Sequence, residues 1–176
     1  GSFPLPDQKS WFGLMHQVVG GGFESVGIKS GINDDSPMPM LKRMKGAQNH
    51  AWSDIDHDGA PDLLVGGRDQ GGGRPNFLFR NRIGQKNAWL ALQLRGDGIT
   101  VNRDALGAKV TVEAGGQKIV REVKSSRGTY NSMDTRTLLF GLGDGAGCAV
   151  TVTVRWPNGK TDTFKNFSLG HYFNVD

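Results

Sequence analysis

Apolar and polar residues alternate with period two through most of the second half of the chain. In AWLALQLRG, Leu90, Leu92 and Leu94 fall on one side, the spacing of a half-buried strand. GAKVTVEAGGQKIVREV divides into two alternating runs around Gly115-Gly116, a pair suited to a two-residue hairpin turn. CAVTVTVRWPNGKTDTF alternates strictly through Val150, Val152, Val154 and Trp156. Its turn contains Asn158-Gly159, residues that tolerate the positive φ of a type I′ turn. TLLFGLG and HYFNV supply two more short strands. Six or seven short strands with tight turns over residues 87–176 predict a mainly β domain, a small β-sandwich or barrel with almost no helix.

Upstream the pattern is shorter and more broken. Residues 49–83 read as strand, acidic loop, strand, turn and strand, with Phe77 and Phe79 of the last strand on one face. Before them, SFPLPDQ has the prolines of a linker, WFGLMHQVV is an apolar patch of ambiguous period, and GGGFESVGIKSGI mixes short strand signals with glycine turns. Pro37 and Pro39 exclude a central strand from SPMPMLKRMKG. Met38, Met40 and Met44 read there as gap-filling apolar contacts.

The chemistry concentrates in SDIDHDGAPDLLVGG, residues 53–67. Asp54, Asp56, Asp58 and Asp62 stand at positions 1, 3, 5 and 9 of a loop, with Gly59 at position 6 to provide a sharp turn. Such spacing turns alternate carboxylates inward, and the backbone carbonyl of Ala60 can join them. An all-oxygen, strongly anionic cage suits Ca²⁺ better than Mg²⁺, which keeps several waters, or Zn²⁺, which favours nitrogen and sulfur. Without a cation the carboxylates repel one another. The loop is not an EF-hand: Val65 occupies the position of the bidentate glutamate, and the flanks read as strands. Catalysis by a carboxylate pair needs the two groups across a substrate cleft, and four acids within nine residues fit metal binding better. His57 stands at a non-ligand position.

Charge and composition narrow the function classes. The chain has 176 residues, 27 glycines at turn-like positions and a formal net charge of +4. Its lysines and arginines are scattered among acids and never form a run, which argues against nucleic acid. No apolar run approaches the length of a membrane span. Cys148, the single cysteine, is flanked by strand-forming residues and reads as a buried structural thiol. His16, His50, His57 and His171 have no nucleophile motif beside them, and the glycine-rich stretches lack the lysine of a phosphate loop. Gly1-Ser2 without a methionine reads as the remnant of a cleaved tag, so a fragment of a larger protein is expected.

The motifs together resemble known families. FESVGIKSGI, AWSDIDHDGAPDLLVGG and NFLFRN resemble an FG-GAP/VCBS-type repeat, the calcium-loop blade of integrin-like β-propellers. NRDALGAKVTVEAGGQKIVREVKSS, then FGLG and RWPNGK, resemble the ASPIC/UnbV domain. That order is similar to the C-terminal part of the cartilage acidic protein family and its bacterial relatives. A closed propeller needs at least four blades and only one repeat-like unit is present. Leu139 stands where the family pattern commonly has a histidine before FGLG.

The resemblance implies a secreted or cell-surface, non-enzymatic module for adhesion or other extracellular interaction. Asp54, Asp56, Asp58 and Asp62 match its calcium positions. The expected organisation is a tag remnant and linker over residues 1–22, a propeller-blade-like calcium-loop hairpin unit over 23–86, and an ASPIC/UnbV-like β-sandwich over 87–176 against which the hairpin packs. Expected partners are an extracellular protein or a glycan, with self-association as a further role and neither nucleic acid nor membrane insertion. The alternative is a carbohydrate-binding module appended to a polysaccharide-degrading enzyme. Contact with a ligand is assigned to Tyr130, in a long glycine- and serine-rich loop, and to Arg103 and Arg136. Arg103 with Asp104, and Asp134 with Arg136, are the expected ion pairs, and Trp156 is expected in the core.

Overall fold

The structure is a computed structural model that describes residues 3–4, 10–11, 14–18, 20–27, 29–30, 32, 47–67, 76–126, 135–147 and 149–176. The described residues form strands, turns and loops, with no helix among them. Two compact units emerge, and they interleave along the chain. The first holds the described residues up to Ala51 and the segment Leu63–Phe79; the second holds Trp52–Asp62 and the described residues from Arg80 onward.

In the first unit, β1 (Phe3–Pro4) pairs antiparallel with β2 (Ser10–Trp11), and β3 (Met15–Gln17) pairs antiparallel with β4 (Phe23–Ser25). A three-stranded sheet runs in the order β5 (Ala47–Ser53), β6 (Asp62–Gly67), β7 (Asn76–Phe79). Leu63 and Val65 of β6 are buried while Leu64 between them is exposed, the alternation that a pleated strand imposes. Phe77 and Phe79 lie on one face with ring centroids 6.3 Å apart, as their spacing predicts. The methionines of residues 38–44 and Cys148 lie outside the described residues.

The second unit carries seven strands in two open sheets: β8 (Ala88–Leu94), β9 (Lys109–Ala114), β10 (Gln117–Glu122), β11 (Leu138–Gly143), β12 (Thr151–Arg155), β13 (Thr161–Lys165) and β14 (His171–Val175). One sheet runs β10-β9-β12-β13 and the other β11-β8-β14. A single core joins them. Leu90, Leu92 and Phe140 from the second sheet pack with Val110, Val112, Val152 and Val154 from the first, all fully buried. Each such side chain contributes about 1.5–3 kcal/mol of burial. The expected sandwich-like layering is therefore present, whereas the barrel alternative is not: neither sheet closes on itself.

Two local details differ from the sequence reading. The β9–β10 hairpin closes on Gly115 and Gly116, both at positive φ, as a two-residue loop requires. In the β12–β13 hairpin only Gly159 has positive φ, and its amide donates to the Trp156 carbonyl at 2.9 Å. That turn is thus not type I′ over Asn158-Gly159; Pro157 and Asn158 form an ordinary turn and Gly159 takes the left-handed position after it. The second difference is β14, which joins β8 in parallel, a pairing no local pattern announces. Trp156 sits in the core as expected, its indole N–H donating to Asp162 at 2.6 Å.

Candidate metal centre

The acidic loop links β5 to β6, and its residues from Trp52 to Asp62 belong to the second unit. Its shape follows from carboxylates capping nearby amides. Asp54 accepts from the amides of Asp58 at 3.0 Å and Gly59 at 2.8 Å, which draws the chain into a tight turn. Asp58 accepts from the Ala60 amide at 2.9 Å and from the Gln85 side chain at 2.5 Å. Asp62, buried, accepts from the amides of Ile55 at 3.1 Å and Asn81 at 2.8 Å and so ties the two ends of the loop to the segment after β7. Asp56 forms an ion pair with Arg80.

The loop is seated on two aromatic side chains. Gly59 has φ +86°, and a Cβ built there falls 2.1 Å from Nε1 of Trp89, so the backbone lies directly against the indole. The Tyr172 hydroxyl donates to Asp54 at 2.6 Å, and its ring approaches those of His57 and Trp89 with centroids 4.7 and 5.4 Å away. His57 itself has φ +60°, a left-handed conformation in the middle of the turn.

Asp54, Asp56 and Asp58 each offer one carboxylate oxygen, and these three oxygens lie within 4.8 Å of one another. The donor set is hard and anionic, which fits an oxygen-seeking cation. Asp62 stands outside this group, and its two oxygens accept the two amides. Ala60 is buried, with its amide committed to Asp58. The electrostatics follow from the same contacts. Burial acts to raise the Asp58 pKa, but hydrogen bonds from Gln85 and Ala60 and the nearby Arg80 charge outweigh it and hold the carboxyl below its ordinary value. Burial pushes the Tyr172 phenol well above its ordinary range, helped by its hydrogen bond to Asp54 and by the loop's negative charge.

The remaining sequence-derived candidates lie elsewhere. Arg136 pairs with Asp104, for which Arg103 was the expected partner; Asp134, expected beside Arg136, lies outside the described residues. Arg103 is exposed, its side chain lying against Gly98 and its carbonyl accepting from the Gly96 amide at 3.1 Å. Tyr130 lies outside the described residues. A groove of about 1080 Å³ opens on the second unit, lined by Trp52, by Asp54 and Gly59 of the acidic loop and by residues of β10 and β11, with Arg136 at its wall.

Trp89, Tyr172, Arg80, Asn81 and Gln85 were not among the sequence candidates. Trp89 carried a usable signal, since alternation puts it on the opposite side of its strand from Leu90, Leu92 and Leu94. Tyr172 carried none, being 118 residues from Asp54 along the chain.

The two open sheets and their shared core define a two-layered β domain. Within it, residues 98–176 match the family model described as ASPIC and UnbV. The match includes Tyr172 and begins after the acidic loop, so the residue that anchors the loop lies inside the matched domain and the aspartates lie before it. No curated protein matches the chain.

Proposed function

We propose that the chain is a calcium-stabilised, non-enzymatic module of a secreted or cell-surface protein, acting in adhesion or another extracellular interaction. The observation that carries this reading is the convergence of Asp54, Asp56 and Asp58, with oxygens mutually within 4.8 Å, in a loop seated on Trp89 and Tyr172 of the β domain. The acidic loop and its flanks are read as an FG-GAP/VCBS-type unit preceding the ASPIC/UnbV match. The cation's role is structural. It neutralises carboxylates that otherwise repel, and it holds the turn around Gly59 in one shape.

Calorimetric titration of the chelator-treated protein with calcium tests the reading. Saturable binding, weaker for magnesium and lost in both Asp56→Ala and Asp58→Ala, is the expected result. Equal heats for the parent protein and both variants would remove its basis.

A further inference from the structure

We infer that the outer edge of β10 is a docking site for an extended acidic polypeptide, which adds to the four-stranded sheet as a further strand. This names a partner class for the interaction role proposed above, but it stands on the β10 edge and the groove's cations, with the acidic loop only bordering that groove, so the two readings fail separately.

In the order β10-β9-β12-β13, β10 pairs only with β9, and no other described strand pairs with its outer side. The register fixes which backbone groups face outward. Gln117 and Ala114 close the two-residue hairpin as a hydrogen-bonded pair, so hydrogen-bonded and non-hydrogen-bonded pairs alternate from there. Val120, opposite Thr111, and Glu122, opposite Lys109, fall at the non-hydrogen-bonded positions. Their amides and carbonyls therefore point away from β9. Both residues line the groove, whose far wall is built from Leu138, Leu139 and Gly141 of β11, the outer strand of the other sheet. An edge that no other described strand pairs with, facing a groove, offers main-chain hydrogen bonds to an incoming strand.

The charge of the lining selects the partner. Among the described residues, Lys109, Arg121, Lys124 and Arg136 line the groove together with two acids, Asp54 and Glu122. Arg136 is held by Asp104, and the Arg121 guanidinium lies 5.7 Å from the Phe140 ring centroid, where it covers the edge of the core. Among the described residues Lys109 and Lys124 have no ion-pair partner. Val120 is 56% exposed, an apolar contact beside the open edge. Acidic side chains meet the cations, an apolar one meets Val120, and the backbone pairs with β10. A strand edge rewards main-chain amides, which a polypeptide has and a polysaccharide does not.

The test uses a fluorescent, end-blocked octapeptide of alternating glutamate and valine, with binding read by anisotropy. Saturable binding is expected, weakened about tenfold or more by N-methylation of alternate peptide amides and by replacing glutamate with lysine. Lys109→Glu/Lys124→Glu should weaken it similarly. Val120→Pro removes only an outward-facing amide, so the sheet should keep its melting temperature while binding falls by a like factor. If Val120→Pro fails to fold, the N-methylated peptide decides on the unaltered protein. No saturable binding, equal binding of the N-methylated peptide, or saturable binding of polygalacturonate in place of the peptide would overturn the inference.

Discussion

Asp54 and Tyr172, 118 residues apart, are joined by a hydrogen bond of 2.6 Å from the phenol to the carboxylate. The bond fastens the first aspartate of the acidic loop to the strand that lies parallel to β8. Tyr172→Phe keeps the ring against His57 and Trp89 and removes only the donor. Asp54 retains two amide donors and the tyrosine is 37% exposed, so the expected loss is about 1 kcal/mol. Urea denaturation in chelator checks it: the midpoint should fall while the slope is unchanged.

Gly59 should tolerate no side chain. Its positive φ disfavours alanine, and the new Cβ would fall 2.1 Å from the Trp89 ring. Strain and overpacking together predict a destabilisation of at least about 2 kcal/mol for Gly59→Ala, with a changed tryptophan emission. Gly116 is the control. It also has positive φ but nothing within 4 Å of a built Cβ, so Gly116→Ala should cost about 1 kcal/mol from strain alone.

Asp97 should shape the acid limb of stability. It accepts from the amides of Ile99, Thr100 and Val101 and from the Thr100 hydroxyl, at 2.7–2.9 Å. The Val101 amide contributes most, followed by the Thr100 hydroxyl, and the carboxyl is held well below its ordinary value. A carboxyl lowered in the folded state stabilises above its unfolded pKa, near 3.9, and that stability drains away as pH falls toward the folded value. Asp97→Asn should therefore lower the melting temperature at pH 7 and lose less than the parent protein on acidification below about pH 4. Parallel pH profiles for the two proteins would contradict this assignment.

Much of the second unit was legible in the sequence because its signals are local. Alternation located β8, β9 and β12 and put Leu90, Leu92, Val152 and Val154 inside; Gly115-Gly116 located a hairpin. The pairing of sheets was not legible, because the β14–β8 contact is parallel and remote. The β12–β13 turn was misread because Asn158 keeps negative φ behind Pro157 and leaves the left-handed position to Gly159. The loop showed the same division. Spacing brought out Asp54, Asp56 and Asp58, which do converge. It gave no warning that both Asp62 oxygens accept backbone amides, or that Arg136 would reach Asp104. Those outcomes depend on how Asn81 and Asp104 are presented by distant segments.

The most direct test of the central claim is thermal unfolding with calcium and with chelator, on the parent protein and on Asp56→Ala and Asp58→Ala. A cation bound only by the folded state adds about 2.7 kcal/mol at a hundredfold excess over its Kd. The parent protein should melt several degrees higher with calcium than with chelator, and neither variant should respond to calcium. Superimposable melting curves of the parent protein in calcium and in chelator would contradict a calcium-stabilised loop.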